Sequence, residues 1–97
     1  MCDVYLERDG ATYTVSVKGH ATGSPAMCAA VSALVCTLRG WLANTDIVEV
    51  YASQTESGDS LLKWSGGSDE IWLFLAVGFL QLEGADPDRL RVSVVEI

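Results

Sequence analysis

The sequence predicts an α+β domain of order ββαββαβ: a mixed, mostly antiparallel sheet with two helices segregated on one face. Three observations predict it. Two runs of alternating apolar and polar residues flank Asp9-Gly10, a hairpin signal. Two longer stretches, opening at Ser24-Pro25 and at Ser68, carry helical apolar patterns. Segments of β-formers or renewed alternation follow each helix. The chain, 97 residues long, is expected to form one domain over 1–97, since two packed domains would need more chain.

In the first strand Val4 and Leu6 alternate with Asp3, Tyr5 and Glu7. A period of two sends alternate side chains to opposite faces. Across the turn, Tyr13, Val15 and Val17 alternate with Thr12, Thr14, Ser16 and Lys18, and this strand should stop near Gly19. Residues 19–25 form a loop. Ser24 caps the free amides of the next helix, and Pro25 suits its first position because an N–H there would have no helical partner. Met27, Val31, Leu34, Val35, Leu38, Trp41 and Leu42 then fall on one stripe about 120° wide, at roughly 100° per residue. The helix is predicted over 26–43, with Asn44 as its terminator and Arg39 suiting the dipole near its end. Ala29, Ala30 and Ala33 lie off the stripe, a side that another element could approach closely.

Ile47–Ser53 reads as a strand through Ile47, Val48, Val50 and Tyr51. Thr55–Ser60, containing Gly58-Asp59, reads as a turn, and Leu61–Trp64 as a short strand closed by Gly66-Gly67. Ser68 is the expected cap of the second helix, with Asp69 and Glu70 in a first turn whose dipole favours acids. From Ile71 to Leu80 that helix is apolar nearly all round. It should be covered on more than one face, between the sheet and the first helix or at a dimer interface. Gly84 ends it. Arg89–Ile97 alternates again, with Leu90, Val92 and Val94 on one side.

Thirteen acidic against six basic residues leave a net charge of −7. Nucleic acid and anionic membrane surfaces attract basic proteins, so neither is expected as a partner, and a basic protein or peptide is. The predominantly apolar run Ile71–Leu82, with Gly78 and Gln81 inside it, is shorter than the roughly 20 residues a membrane span needs. Cys2, Cys28 and Cys36 form no disulfide framework. With no signal peptide at the N-terminus, a reducing cytoplasm is the expected compartment.

One place offers convergent reactive groups. His20, the sole histidine, sits on a glycine-flanked loop, and Cys28 follows eight residues later near the start of the first helix. A thiol there feels the positive end of the dipole, which favours the nucleophilic thiolate. A neighbouring imidazole can take the thiol proton and return it to a leaving amine, while backbone amides at the helix start hold a developing oxyanion. These are the parts of a cysteine peptidase. The plainer reading is that Cys28 is a small buried hydrophobe and His20 a solvated loop residue.

The other candidates read as structural. Cys36 is rotated off the Cys28 line and is expected to pack against a neighbour. Cys2, near the N-terminus, is expected to stand outside the chemistry, which leaves a thiol redox sensor at Cys28 without a resolving partner. His20, Cys28 and Cys36 lack the short ligand spacings of zinc sites, so no metal or other cofactor is expected. Ser24 is better explained as a cap than as a nucleophile. Asp69 and Glu70 are adjacent on a helix and do not face each other. No phosphate-loop lysine follows Gly66-Gly67. Trp41, Trp64 and Trp72 fit core or interface positions.

Gly19-His20-Ala21 and the block Cys28-Ala29-Ala30-Val31-Ser32-Ala33-Leu34 resemble the signature of the ribosomal-processing cysteine protease Prp family. The order ββαββαβ and the chain length are similar to that family too. The resemblance implies an endopeptidase that removes an N-terminal extension from a large-subunit ribosomal protein during ribosome maturation. It implies Cys28 as nucleophile and His20 as general base, and a homodimer. It also implies a flexible loop closing over a peptide with aromatic residues before the scissile bond and basic residues after it. The loop between His20 and Cys28 is several residues shorter than the family's, and Pro25 stands where the family places an aspartate. Asp46 or Asp69 would have to replace that acid through folding. The departures admit an alternative: a non-catalytic or divergent member that binds or processes another protein tail, such as a phage structural protein.

Overall fold

The computed structural model describes residues 1–97. β1 (Cys2–Asp9) and β2 (Thr12–Gly19) form the first hairpin, and α1 (Pro25–Asn44) follows. β3 (Val48–Glu56) and β4 (Asp59–Gly66) form the second hairpin, followed by α2 (Glu70–Ala85) and β5 (Leu90–Glu96). The observed order is the predicted ββαββαβ. Gly10 turns the first hairpin at φ +58° and Gly58 the second at φ +73°, where a side chain would be strained.

The five strands lie in the order β3-β4-β2-β1-β5. Every neighbouring pair is antiparallel except β1 with β5. It follows that β2 and β3 run the same way, as do β4 and β5. Each of these pairs is joined by a helix, as a parallel connection requires. Between the two crossovers both the strand direction and the sideways step are reversed. That double reversal is a rotation about the sheet normal, so one right-handed rule sends both helices to the same face.

The covered face carries Val4 and Leu6, Tyr13, Val15 and Val17, Leu62 and Trp64, and Leu90. α1 lays Met27, Val31, Val35, Leu38 and Leu42 on it, and α2 adds Trp72, Leu75, Ala76 and Phe79. Each large side chain buried this way is worth about 1.5–3 kcal/mol. Tyr13 and Trp64 stack with ring centroids 5.5 Å apart, and the Arg8 guanidinium lies 5.3 Å from the Trp72 ring centroid. These aromatics gather at the Thr12 end of β2 and leave its Gly19 end to smaller residues.

The predicted start of α1 is borne out: the Ser24 hydroxyl accepts from the Met27 N–H at 3.2 Å, and Pro25 opens the helix. α1 is long and apolar enough to cross a membrane by length and composition, but its apolar stripe is the side laid on the sheet. The start of α2 differs. Its cap is Asp69, not Ser68, and the Asp69 side chain makes no cap bond. That carboxylate is instead paired with Arg8 at 2.6 Å. Gly84 lies inside the last turn, and the helix ends at Ala85. The expected turn over 55–60 contracts to Ser57-Gly58, because both flanking strands keep pairing up to Glu56 and Asp59.

Two packing expectations also change. Ala29 and Ala33 remain exposed. The close approach of the helices is made by Gly78 of α2, where a Cβ would stand 3.3 Å from Leu34 Cδ1. α2 is covered on one face only: Phe74 is 73% and Val77 59% exposed, with Leu73 and Leu80 beside them. The sheet lies beneath α2 and α1 lies beside it, so one chain has nothing to place over the outer face.

Candidate active site

Four segments converge at the Gly19 end of the sheet: the start of β1, the loop after β2, α1 from Cys28 to Arg39 and the β3–β4 turn. They line a cavity of about 420 Å³ whose reactive or charged groups are Cys2, His20, Cys28, Cys36, Arg39, Glu56 and Asp59. His20 and Cys28, both picked out from the sequence, therefore face one space.

Gly19 sets the path of the histidine. Its φ is +86°, its N–H donates to the Gly58 carbonyl at 2.9 Å, and a Cβ on it would stand 2.5 Å from the Met1 carbonyl oxygen. Only glycine meets both demands without strain. The chain thereby turns out of the sheet, and the exposed His20 side chain lies against Gly58.

Cys28 is half-buried in the first turn of α1, and its thiol donates to the Ala21 carbonyl at 3.5 Å. No hydrogen bond joins it to His20 in this arrangement. The helix-start amides are also engaged: Met27 N–H donates to Ser24 Oγ, and Cys28 N–H donates to the Ser24 carbonyl at 3.1 Å. Neither of these two amides is free to receive an oxyanion while the Ser24 cap is in place.

Cys2, expected to stand outside the chemistry, proves to line the same cavity as Cys28. It is 2% exposed and lies in the core. Burial pushes its thiol pKa up, with Cys28 and Asp3 adding to the rise and the N-terminal ammonium opposing it. Cys36, expected to pack against a neighbour, is exposed at the cavity. Arg39 does not reach the last turn of α1. It crosses to β3, where Nη1 donates to Thr55 Oγ1 at 2.8 Å.

The acids are not the expected ones. Asp69 is held by Arg8, and Asp46 is exposed beyond the end of α1. Neither lines the cavity. Glu56 and Asp59 do, as partners across the Gly58 turn. Asp59 pairs with Lys18 at 2.5 Å, and Glu56 is in no ion pair. The sequence signal for them was the Gly58-Asp59 turn. Bringing that turn to His20 required the pairing of β4 with β2, which sets Asp59 opposite Lys18.

No family model and no curated protein sequence matches the chain. Chains of solved structures do, the following two among them. The chain is 22% identical to SMU.848 from Streptococcus mutans, over 100% of its own length and 99% of that chain, with a TM-score of 0.74. It is 16% identical to the essential ribosomal processing protease Prp from S. aureus, solved with a covalently linked product peptide. That match covers 97% of this chain and 99% of the other, with a TM-score of 0.71. Over nearly its whole length, the chain has the fold of a ribosomal processing protease.

Proposed function

We propose that the protein is a cysteine endopeptidase that removes an N-terminal extension from a large-subunit ribosomal protein in the cytoplasm. The observation that carries this reading is that Cys28 and His20, the single histidine, line one cavity in a chain with a protease's fold. Cys28 Sγ would attack the scissile carbonyl to form a thioester, and His20 would take the thiol proton and deliver it to the leaving amine. Water would then release the acid product. For this the imidazole must leave Gly58 and turn towards Cys28. An exposed side chain can do so by changing rotamer. Asp59 is paired with Lys18 and Arg39 is bonded to Thr55, which leaves the unpaired Glu56 as the cavity acid that suits a basic residue after the cleaved bond.

The reading includes a homodimer formed through the outer face of α2. No charged residue lies between Glu70 and Glu83. On a chain of net charge −7, that uncharged apolar face is where two copies can meet with least repulsion.

A second reading is a binding module that holds a protein tail without cutting it. It is favoured by the thiol's bond to Ala21 and by the occupied helix-start amides. Intact-mass spectrometry of an N-terminally extended ribosomal protein, mixed with wild type, Cys28→Ala, His20→Ala or Cys36→Ala, separates the two. A single product from wild type and Cys36→Ala only supports the peptidase. Binding without product, unchanged in Cys28→Ser, supports the module.

A further inference from the structure

Two thiols border the segment that carries His20. Cys2 is the cross-strand partner of Gly19, and the Cys28 thiol donates to the carbonyl of Ala21, two residues further along. A trans peptide step spans about 3.8 Å between Cα atoms, so these two anchor points are close together. Both cysteines line the same cavity. They differ in access: Cys28 is half-buried, while Cys2 is 2% exposed.

We propose that Cys2 and Cys28 form a reversible disulfide across this cavity when a peroxide oxidises Cys28. The Cys28 thiolate attacks a peroxide oxygen, and the O–O bond breaks. Its sulfur is oxidised to a sulfenic acid as the peroxide is reduced, and hydroxide leaves (alcohol, for an organic peroxide). Cys2 sulfur then attacks Cys28 sulfur, the S–O bond breaks, and the departing oxygen takes the Cys2 proton to leave as water. A dithiol reverses the bond by two exchange steps. The difference in access sets the order: the oxidant meets Cys28 first, and the shielded Cys2 serves as the resolving thiol. Cys36 lies two helical turns along α1 from Cys28 and is exposed to solvent, so it is not the partner the pairing selects.

Formation of the disulfide does not depend on the peptidase reading, because it is read as mass. Only its consequence, a blocked nucleophile, rests on that reading. The experiment treats the reduced full chain with hydrogen peroxide, alkylates it under denaturing conditions, and maps the cysteine peptides. The expected main species has lost about 2 Da before alkylation and yields linked peptides containing Cys2 and Cys28. Dithiothreitol should restore the reduced mass. In Cys2→Ser, Cys28 should instead pass on to the sulfinic acid, a gain of about 32 Da. The proposal is overturned by a sulfinic acid in wild type with Cys2 still alkylatable, by linkage to Cys36, or by no oxidation of Cys28. If Cys2→Ser fails to fold, the wild-type peptide map decides alone. Wild type that links Cys2 to Cys28 yet never cleaves a peptide when reduced would sink the peptidase reading and leave the disulfide standing.

Discussion

His20 rests directly on Gly58: a Cβ built at that glycine would stand 2.5 Å from the imidazole Nε2. In this pose the ring makes no hydrogen bond to Cys28, whose thiol donates to the Ala21 carbonyl. Gly58 has φ +73°, so Gly58→Ala should cost about 1–2 kcal/mol in urea unfolding. It should also expel the exposed ring, which gives way more easily than backbone. Expulsion removes the resting pose and leaves the proposed base in place. Cleavage by Gly58→Ala should thus stay within about tenfold of wild type, whereas His20→Ala loses roughly 10²–10⁴-fold. Equal losses in steady-state peptide assays of the two variants would contradict this account of the resting pose.

The Ser24 cap is a stability element that also occupies the site's amides. Ser24→Ala should lower stability by about 1 kcal/mol, and Ser24→Asp should restore most of it. In a domain of this size the alanine variant's melting temperature should fall by about 4–8 °C. Thermal unfolding followed by circular dichroism checks it.

The outer face of α2 should control association. Phe74 is 73% exposed within one chain, so Phe74→Glu removes little internal packing. It would place two carboxylates in the interface of a dimer. Sedimentation velocity should show wild type as a dimer and Phe74→Glu as a folded monomer. A wild-type monomer at micromolar concentration would contradict the proposed dimer.

The Cys2 thiol should make stability fall in alkali. Its pKa is raised above the ordinary 9.0 by burial, with Cys28 and Asp3 adding to the rise. The unfolded chain therefore ionises first. The contribution to stability is complete below about 9 and is lost as pH rises through the ordinary value and on through the folded one. Reduced wild type should show this slope in urea titrations above pH 9, and Cys2→Ala should flatten it.

The elements and their order are readable from the chain alone, because strand and helix periods are local. Alternation about Asp9-Gly10, the Ser24-Pro25 start and the apolar stripe of α1 each lie within one short window, and each appears in the structure. His20 and Cys28 were legible for the same reason: a glycine turn after a strand and a capped helix start are local features. Where local signals met a long-range competitor, they lost. Asp69 takes the cap position expected of Ser68 but gives its carboxylate to Arg8, and Arg39 answers Thr55 across the groove rather than the helix end. What else shares the cavity depends on long-range strand pairing. Cys2 reaches it because β1 pairs with β2 in the register that sets Cys2 opposite Gly19. Glu56 and Asp59 reach it because β4 lies beside β2. Strand pairing and sheet order join residues far apart in the chain, and the period of a single strand carries no information about which strand will be its neighbour.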